Sequence, residues 1–314
     1  MSVDLSRARI ALLGCGAVGT ALALGLAVSQ PRLRGRLSLW SRRPTSVSAL
    51  ARGLRACPGF RRRIDELESA ETALAGADVV LLCVAEPALE PLVRELARAA
   101  PSRRAPLPVV LHTNGYLGTS VLAPLARKGS PVGKLHPFVP VTNGLSLRGA
   151  HWGIGGDASA RRAARQLVRQ LGGHVLLPRP GSWDSYHAAA TLLSGGSVAL
   201  FDLADRVLAR SIPDLHVRRA ALQHLAHETL LNIGLNGPRD ALTGALSRGA
   251  EDVVRGHLRA LRCEPRALEV YRSLGRQMLD LARARGSLDA RGAREMKRLL
   301  GPPVRKPRHR SAGG

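Results

Sequence analysis

The sequence predicts an α/β domain followed by an all-helical domain, and three observations support this prediction. Short apolar runs alternate with helical patterns through the first half of the chain, the order expected of a parallel sheet with crossover helices. A turn containing three glycines directly follows the first apolar run. From about residue 182 onward the strand patterns stop, and only helical patterns follow.

The predicted elements of the first half alternate in type. Predicted strands cover residues 9–13, 37–40, 79–84, 109–112, 132–135, 152–154 and 174–177. Apolar residues at helical spacing predict helices over 17–29, 46–56, 90–99, 119–127 and 158–171. The second half is predicted to be helical over 182–210, 217–235, 240–247, 250–261, 267–285 and 288–300. Pro213, Gly237-Pro238 and Pro265 interrupt this series.

The length of 314 residues and the apolar share of 45% fit two folded domains with a buried core. We expect a nucleotide-binding domain over residues 1–180 and a helical substrate or dimerisation domain over 181–300. Residues 301–314 contain three prolines and little apolar surface, which predicts a disordered basic tail.

The net charge of +24 comes almost entirely from arginine, because the chain has only four lysines. The arginines are spread from Arg7 to Arg310, and aromatic residues make up 3% of the chain. A nucleic-acid surface usually concentrates basic and aromatic side chains on one element. We therefore expect a compositional bias and no specific nucleic-acid partner, with a polyanion partner left open as the alternative.

The cysteines and one apolar segment bear on the compartment. Cys15, Cys57, Cys83 and Cys263 are far apart and form no Cys-x-x-Cys pair, so we expect no metal site, no disulfide framework and a reducing cytoplasm. Residues 10–30 lack charge and resemble a signal peptide or membrane span, but they contain four glycines. We interpret them as a strand, a turn and a helix, with no membrane partner.

The glycine turn predicts a dinucleotide site of the Rossmann type. Gly14, Gly16 and Gly19 follow the first strand and open the first helix. In such a fold the first glycine makes the tight turn, the second lets a pyrophosphate approach the backbone, and the third lets helix and strand pack closely. The helix N-terminus adds free N–H groups and a positive dipole end for the phosphates.

The end of the second strand predicts which nicotinamide cofactor binds. An acidic residue there would bond the adenosine ribose, whereas arginine accommodates a 2′-phosphate. The chain has Ser41, Arg42 and Arg43 at this place and no acid, so NADP is preferred over NAD. The predicted cofactor-binding residues are Gly14, Cys15, Gly16, Ala17, Val18, Gly19, Ser41, Arg42, Arg43, Val84 and Ala85.

Candidate catalytic residues lie in two places. His112 and Asn114 follow a predicted strand whose carboxyl end should border the cofactor. His187, Thr191 and Ser194 fall on one stripe of the first long helix of the second half. Gly195-Gly196 lies inside this helix, which close approach of a ligand or another helix would explain. The predicted catalytic set is His187, His112, Asn114 and Ser194, although each histidine could equally have a structural role.

Several longer motifs point to a known family. They are the glycine turn, His112-Thr113-Asn114-Gly115, His136-Pro137, Tyr186-His187-Ala188-Ala189-Ala190, Ala241-Leu242-Thr243-Gly244 with Arg248-Gly249, and Tyr271-Arg272-Ser273-Leu274-Gly275. With them, residues 8–286 resemble the Rossmann-like proteins whose second half is called domain of unknown function 2520. These are relatives of pyrroline-5-carboxylate reductase and of deazaflavin-dependent NADP reductases. The chain departs from the family pattern at Gly195, Ala245 and Ala250, where relatives tend to have Asn, Pro and Asp.

The resemblance implies an NADP-dependent oxidoreductase that moves hydride between NADP(H) and a small carbonyl, imine or alcohol. It also implies a homodimer formed through the helical domain. The alternative is a nucleotide-binding sensor or partner-binding protein without turnover. The chain has no lysine between residues 134 and 297, so a mechanism that uses a lysine of the helical domain is disfavoured. Histidine is the remaining acid or base that titrates near neutral pH.

Overall fold

A computed structural model describes residues 7–29, 35–57, 63–100, 106–142 and 146–302. The contacts between Cα atoms divide the chain into two compact units, residues 1–195 and 196–314. This division lies inside a long helix, whereas the sequence predicts a boundary near residue 180. The predicted boundary stays a prediction.

The first unit is built on an eight-stranded sheet with the order β3-β2-β1-β4-β5-β6-β7-β8. All neighbouring strands pair in parallel except β6 and β7, which are antiparallel. The strands are β1 (Ile10–Leu13), β2 (Arg36–Trp40), β3 (Arg63–Glu66), β4 (Val79–Leu82), β5 (Val109–His112), β6 (Val132–Pro137), β7 (His151–Gly156) and β8 (His174–Leu176). The predicted parallel α/β domain is confirmed.

Helices cover both faces of this sheet. They are α1 (Ala17–Ser29), α2 (Pro44–Ala56), α3 (Thr72–Gly76), α4 (Glu86–Ala99), α5 (Ala123–Lys128), α6 (Ala158–Gln170) and the first half of α7 (Trp183–Leu208). Alternate residues of β1 enter two separate cores: Ile10 and Leu12 pack with side chains from α1, α2 and α6, and Ala11 and Leu13 pack with side chains from α3, α4 and α5. Burial on both faces explains why the central strands are continuously apolar.

The sequence prediction misses strand β3 and helix α3. β3 reads Arg63-Ile64-Asp65-Glu66, so it lacks the apolar run that identifies a strand. As an edge strand it pairs only with β2, and Asp65 lies 3.2 Å from Arg63 and 3.6 Å from Arg36. Charged side chains are tolerated at such an edge because one side of the strand faces no partner.

The second unit is helical among its described residues. It contains the second half of α7 with α8 (Leu215–Asp240), α9 (Glu251–Ala260), α10 (Pro265–Arg285) and α11 (Ala290–Leu300). Its small core is formed by Leu246, Val254, Leu279, Met296 and Leu300.

The predicted helix over residues 240–247 is wrong, because the chain forms turns from residue 241 to 250. Gly237, inside α8 shortly before this region, and Gly244 and Gly249 within it have φ angles of 74°, 101° and 66°. These angles lie in the left-handed region, which glycine adopts without the steric cost of a Cβ atom. Of the predicted tail, the structure describes only Gly301 and Pro302; residues 303–314 lie outside the described part. Within that part, no helix is both long and apolar enough to cross a membrane.

Candidate functional site

The glycine turn after β1 has the geometry expected of a phosphate-binding loop. Gly14 has φ +108°, and a Cβ atom there would lie 2.5 Å from the carbonyl oxygen of Cys83. A Cβ atom on Gly19 would overlap the carbonyl oxygen of Gly14, so the helix can approach the turn only because residue 19 is glycine. Gly16 has nothing within 4 Å of its Cβ position, and its backbone is exposed. The turn is therefore closed on the protein side and open on the solvent side.

The residues beside these glycines leave the solvent-facing side of the turn open and uncharged. Ala17 is exposed and begins α1, whose first backbone N–H groups have no partner within the helix. The Cys15 thiol donates a long hydrogen bond of 3.8 Å to the carbonyl oxygen of Trp40. Burial, followed by the negative charge of Glu66, raises the pKa of Cys15 to about 11. The thiol is thus neutral at neutral pH and brings no negative charge to the turn.

Arg42 and Arg43 follow β2 and are exposed, and neither forms an ion pair with the part of the chain that the structure describes. The backbone N–H of Arg43 bonds the hydroxyl of Ser41 at 3.4 Å, which shapes the turn into α2. A cavity of about 260 Å³ lies beside them, between the end of β2 and the start of α4. It is lined by Trp40, Arg42, Val84, Pro87, Ala88, Pro91, Leu92 and Glu95.

Asn114 fixes the turn of the loop that follows β5. Its side-chain oxygen accepts hydrogen bonds from the backbone N–H groups of Tyr116 at 2.9 Å and Leu117 at 2.7 Å. Its amide nitrogen donates to Glu86, the first residue of α4, at 3.4 Å. Ala85 is the residue before that helix, so the loops after β4 and β5 are joined by this contact.

His112 ends β5 and is completely buried. Its ring nitrogens form no hydrogen bond of ordinary geometry with the described residues. Burial, and then the charge of Lys134, lower the pKa of His112 to about 3, against a small opposing effect of the Gly118 backbone. The ring is therefore neutral at neutral pH and has no exposed surface through which to reach a substrate.

A second group of polar rings surrounds Gly115. A Cβ atom on this glycine would lie 2.7 Å from Nε2 of His136 and 2.8 Å from Nε2 of His187. The ring centres of His136 and His187 are 6.1 Å apart. Tyr116, the next residue of the loop, places its ring 6.5 Å from that of His187. We call His136, Tyr186 and His187, with Gly115 between the two imidazoles, the histidine cluster.

Tyr186 lies on the buried side of the histidine cluster and contacts His136. Its hydroxyl lies 3.1 Å from Nδ1 of His136. Burial raises the pKa of Tyr186 well above its ordinary value, so the hydroxyl keeps its proton. A proton donated from this hydroxyl to Nδ1 leaves the proton of His136 on Nε2, the atom that faces Gly115. Burial, and then the charges of Lys134 and His187, lower the pKa of His136 to about 4, so His136 is neutral at neutral pH.

The rest of the predicted stripe extends from His187 along α7. Thr191 is exposed and Ser194 is half-buried. A side chain at Gly195 would meet only Thr191, at 4.0 Å. This face is open, which is compatible with the close approach of a ligand or of another helix. The catalytic roles of His187, His112, Asn114 and Ser194 stay predictions.

Sequence reasoning missed Lys134 and the use of His136 and Tyr186. Alternation along β6 places Lys134 and His136 on the same face of the sheet, and Lys134 pairs in register with His112 of β5. The sequence signal that could have identified Lys134 was a charged residue between Gly133 and Leu135 in an apolar strand. The described residues include no group of three or more side chains that could hold a metal ion.

The fold and the open glycine turn define a two-unit protein with a Rossmann-like first unit and a helical second unit. Residues 1–137 match the Rossmann-like domain, and residues 150–278 match the family described as Domain of unknown function (DUF2520). The chain thus combines these two domains, as the motifs predict. No curated protein sequence matches it.

Several solved structures share the fold. A Thermotoga maritima protein is 18% identical, with a TM-score of 0.65 over 88% of this chain and 98% of that one. A reductive aminase from Aspergillus terreus, in complex with NADPH and ethyl levulinate, is 19% identical, with a TM-score of 0.61 over 94% and 98%. A pyrroline-5-carboxylate reductase from Coxiella burnetii is 13% identical, with a TM-score of 0.59 over 93% and 98%. At these identities the likeness shows the fold alone.

Proposed function

We propose that this protein is an NADP-dependent oxidoreductase that transfers hydride between NADP(H) and a small carbonyl, imine or alcohol. The observation that supports it best is the histidine cluster, which collects titratable rings around the loop after β5. That loop follows the carboxyl end of a strand in the same parallel sheet as the open glycine turn. Ligands of such sheets bind outside the carboxyl ends of the strands. The reductases among the structural relatives support the same reaction class.

The residues around the glycine turn fit a dinucleotide phosphate. Gly16 presents an open backbone, and α1 supplies N–H groups and a positive helix end for the pyrophosphate. The cavity beside Arg42 is apolar along Val84 and Pro87, as an adenine ring requires, and Arg42 and Arg43 supply cations for a 2′-phosphate. When bound, NADPH would supply the hydride.

His187 is the residue that we propose to move the proton. It is half-buried rather than enclosed, whereas His112 is completely buried. A carbonyl or imine that receives hydride must also gain a proton at its oxygen or nitrogen, and histidine commonly supplies it near neutral pH. The ring centre of His136 lies 6.1 Å from that of His187, so His136 would limit the orientations of the His187 ring by contact.

The cofactor half of the proposal is tested by a substitution that leaves the fold intact. Gly16→Val adds a side chain where nothing lies within 4 Å of the Cβ position, so the protein should melt as the wild type does. The new side chain should block the approach of the pyrophosphate and abolish NADPH binding, measured by nicotinamide fluorescence. Gly76→Val is the matched control, because the Cβ position of Gly76 is equally open but lies at the C-terminal end of α3. Equal NADPH affinity in both variants would contradict the cofactor assignment.

The reaction half is tested by NADPH consumption with keto acids, aldehydes and cyclic imines. We expect turnover with at least one class. Tight NADPH binding without turnover in any class would favour the alternative, a nucleotide-binding sensor. All four cysteines are unpaired, which fits our further proposal of a cytoplasmic location.

We also propose a homodimer formed through the second unit. The 26-residue helix α8 has no buried residue, and it exposes Leu225, Leu230, Leu231 and Leu235. An apolar cavity of about 520 Å³ lies within the same unit, between α8, α10 and the second half of α7. Exposed apolar surface of this extent is typical of an interface between proteins.

Light scattering after gel filtration tests the dimer. Leu225→Glu should shift the protein toward monomer, because Leu225 both is exposed and lines the apolar cavity. Leu177→Glu is the matched control, since Leu177 is similarly exposed but lies in the first unit. A wild-type protein that is monomeric at micromolar concentration would contradict the proposal.

A further inference from the structure

Lys134 is a buried lysine whose ammonium group is surrounded by fixed partners. Its Nζ donates hydrogen bonds to the carbonyl oxygens of Gly115 at 2.8 Å and Leu117 at 2.7 Å. The ring centre of Trp183 lies 3.8 Å from Nζ, within the range of a cation–π contact. Two carbonyl oxygens and one ring face therefore satisfy the three N–H donors of the ammonium group.

The opposite strand is built to admit these partners. Lys134 pairs in register with Gly155 of β7, and a Cβ atom on Gly155 would lie 2.7 Å from the ring of Trp183. Gly153, two residues earlier on β7, leaves the same kind of room for Tyr186. The two glycines let the start of α7 lie directly on this face of the sheet, so that its aromatic rings cover β6.

The carbonyl groups that Lys134 binds belong to the loop after β5, which places Gly115 between the rings of the histidine cluster. Gly115 accepts one hydrogen bond through its oxygen, and its Cα atom lies between the rings of His136 and His187. Leu117 accepts the other and follows Tyr116, which faces His187. Lys134 thus contacts the loop on both sides of Tyr116 and at Gly115, whose Cβ position lies against the ring of His187.

We propose that Lys134 is a positioning residue of the histidine cluster: its ammonium group clamps the loop of residues 113–118 and so fixes the ring of His187. The proposal rests on the proposed function in one respect, namely that His187 acts on a substrate. Lys134 itself is buried and its donors are used, so it acts through the loop and not on substrate.

The charges near Lys134 agree with this role. Burial lowers the pKa of Lys134 to about 7, and the carboxylate of Asp184 on α7 opposes this effect. The charge of Lys134 in turn lowers the pKa of His112 on β5 and of His136 on β6. The charged form of Lys134 predominates below about pH 7, and its charge then adds to burial, the larger cause, in keeping both imidazoles neutral.

Lys134→Met tests the clamp, because methionine has a similar length but no donor and no charge. We expect hydrogen–deuterium exchange of residues 113–118, followed by mass spectrometry, to become at least about tenfold faster, as loss of charge-assisted hydrogen bonds implies. The pKa of His136, measured by imidazole NMR, should rise because the neighbouring charge is gone. Lys128→Met is the control, since Lys128 is exposed at the end of α5 and should change neither reading.

These readings need no substrate, so they separate this proposal from the proposed function. Unchanged exchange of residues 113–118 in Lys134→Met would overturn the clamp whether or not the protein reduces a substrate. If turnover is found, kcat should fall while the Kd of NADPH stays the same. If Lys134→Met does not fold, Trp183→Leu provides the test, because it removes the ring face and leaves both carbonyls. Faster exchange in Trp183→Leu supports the clamp, and unchanged exchange refutes it.

Discussion

Replacing Gly115 with alanine probes the histidine cluster with a single methyl group. Its Cβ atom would lie 2.7 Å from Nε2 of His136 and 2.8 Å from Nε2 of His187, both well inside van der Waals contact. The φ of Gly115 is outside the left-handed region, so alanine brings no backbone strain and the effect is purely steric. One or both imidazoles must move.

The loss of stability depends on which of the two rings moves. Overpacking by one methyl group in an ordered region typically costs about 1–3 kcal/mol. For a chain of this size that corresponds to a fall in Tm of about 1–2 °C for each kcal/mol. If the half-buried His187 turns away instead, stability falls little and the catalytic geometry is lost. Either way we expect kcat to fall at least tenfold while the Kd of NADPH stays unchanged, because the cofactor residues are untouched.

Gly118→Ala is the control for this experiment. Gly118 lies in the same loop, but a Cβ atom there would have its nearest neighbours, Ser120 and Trp183, at 3.9 Å. Melting curves, NADPH titrations and turnover should be compared for both variants. If Gly115→Ala matches Gly118→Ala in all three, the rings do not pack around Gly115 as described and the reasoning is refuted.

Three further predictions follow from the same structure. Arg42→Ala combined with Arg43→Ala should weaken NADPH binding at least about tenfold and leave NADH binding nearly unchanged, since each lost charge-assisted contact costs about 1.5–3 kcal/mol; an unchanged NADPH/NADH ratio in fluorescence titrations would contradict this. The folded state lowers the pKa values of His136 and His112, so the free energy of unfolding should fall as the pH drops from about 6.5 toward 4. For His136 alone the free energy of unfolding should fall by about 3 kcal/mol. Urea unfolding at pH 7 and pH 4.5 should therefore show a smaller decrease in His136→Gln than in the wild type. Truncation after Leu300 should leave the Tm and NADPH binding unchanged, because the removed residues have too little apolar surface to offset the ordering of their backbone. A fall in Tm of many degrees would show that these residues dock on the folded protein.

The sequence predicted the glycine turn well because its signals are local. Three glycines between a strand and a helix define the turn, and the predicted limits of the following helix, residues 17–29, are those of α1. Strand β3 could not be recognised from Arg63-Ile64-Asp65-Glu66, since an edge strand needs no apolar run. The helical pattern of residues 240–247 was overridden by glycines with left-handed backbone angles.

The candidate site was predicted only in part because its contacts are distant in sequence. His187 and His112 were found from their places on a helix and after a strand. The contact between His136 and Tyr186 joins residues 50 positions apart, and the clamp by Lys134 depends on the register of β5, β6 and β7. Neither register nor helix docking is encoded in a local pattern, so the buried lysine could be placed on a face but not beside the loop it binds.

The most direct test of the central claim compares His187→Gln with His112→Gln in NADPH consumption at saturating cofactor and substrate. Glutamine keeps the polarity and approximate size of each side chain but cannot transfer a proton as imidazole does. We expect His187→Gln to lower the rate by about 10²–10⁴-fold, the range of general acid catalysis, with Tm and NADPH affinity unchanged. His112→Gln should mainly lower the Tm, because that ring is completely buried. A His187→Gln protein that keeps its full rate would contradict the account.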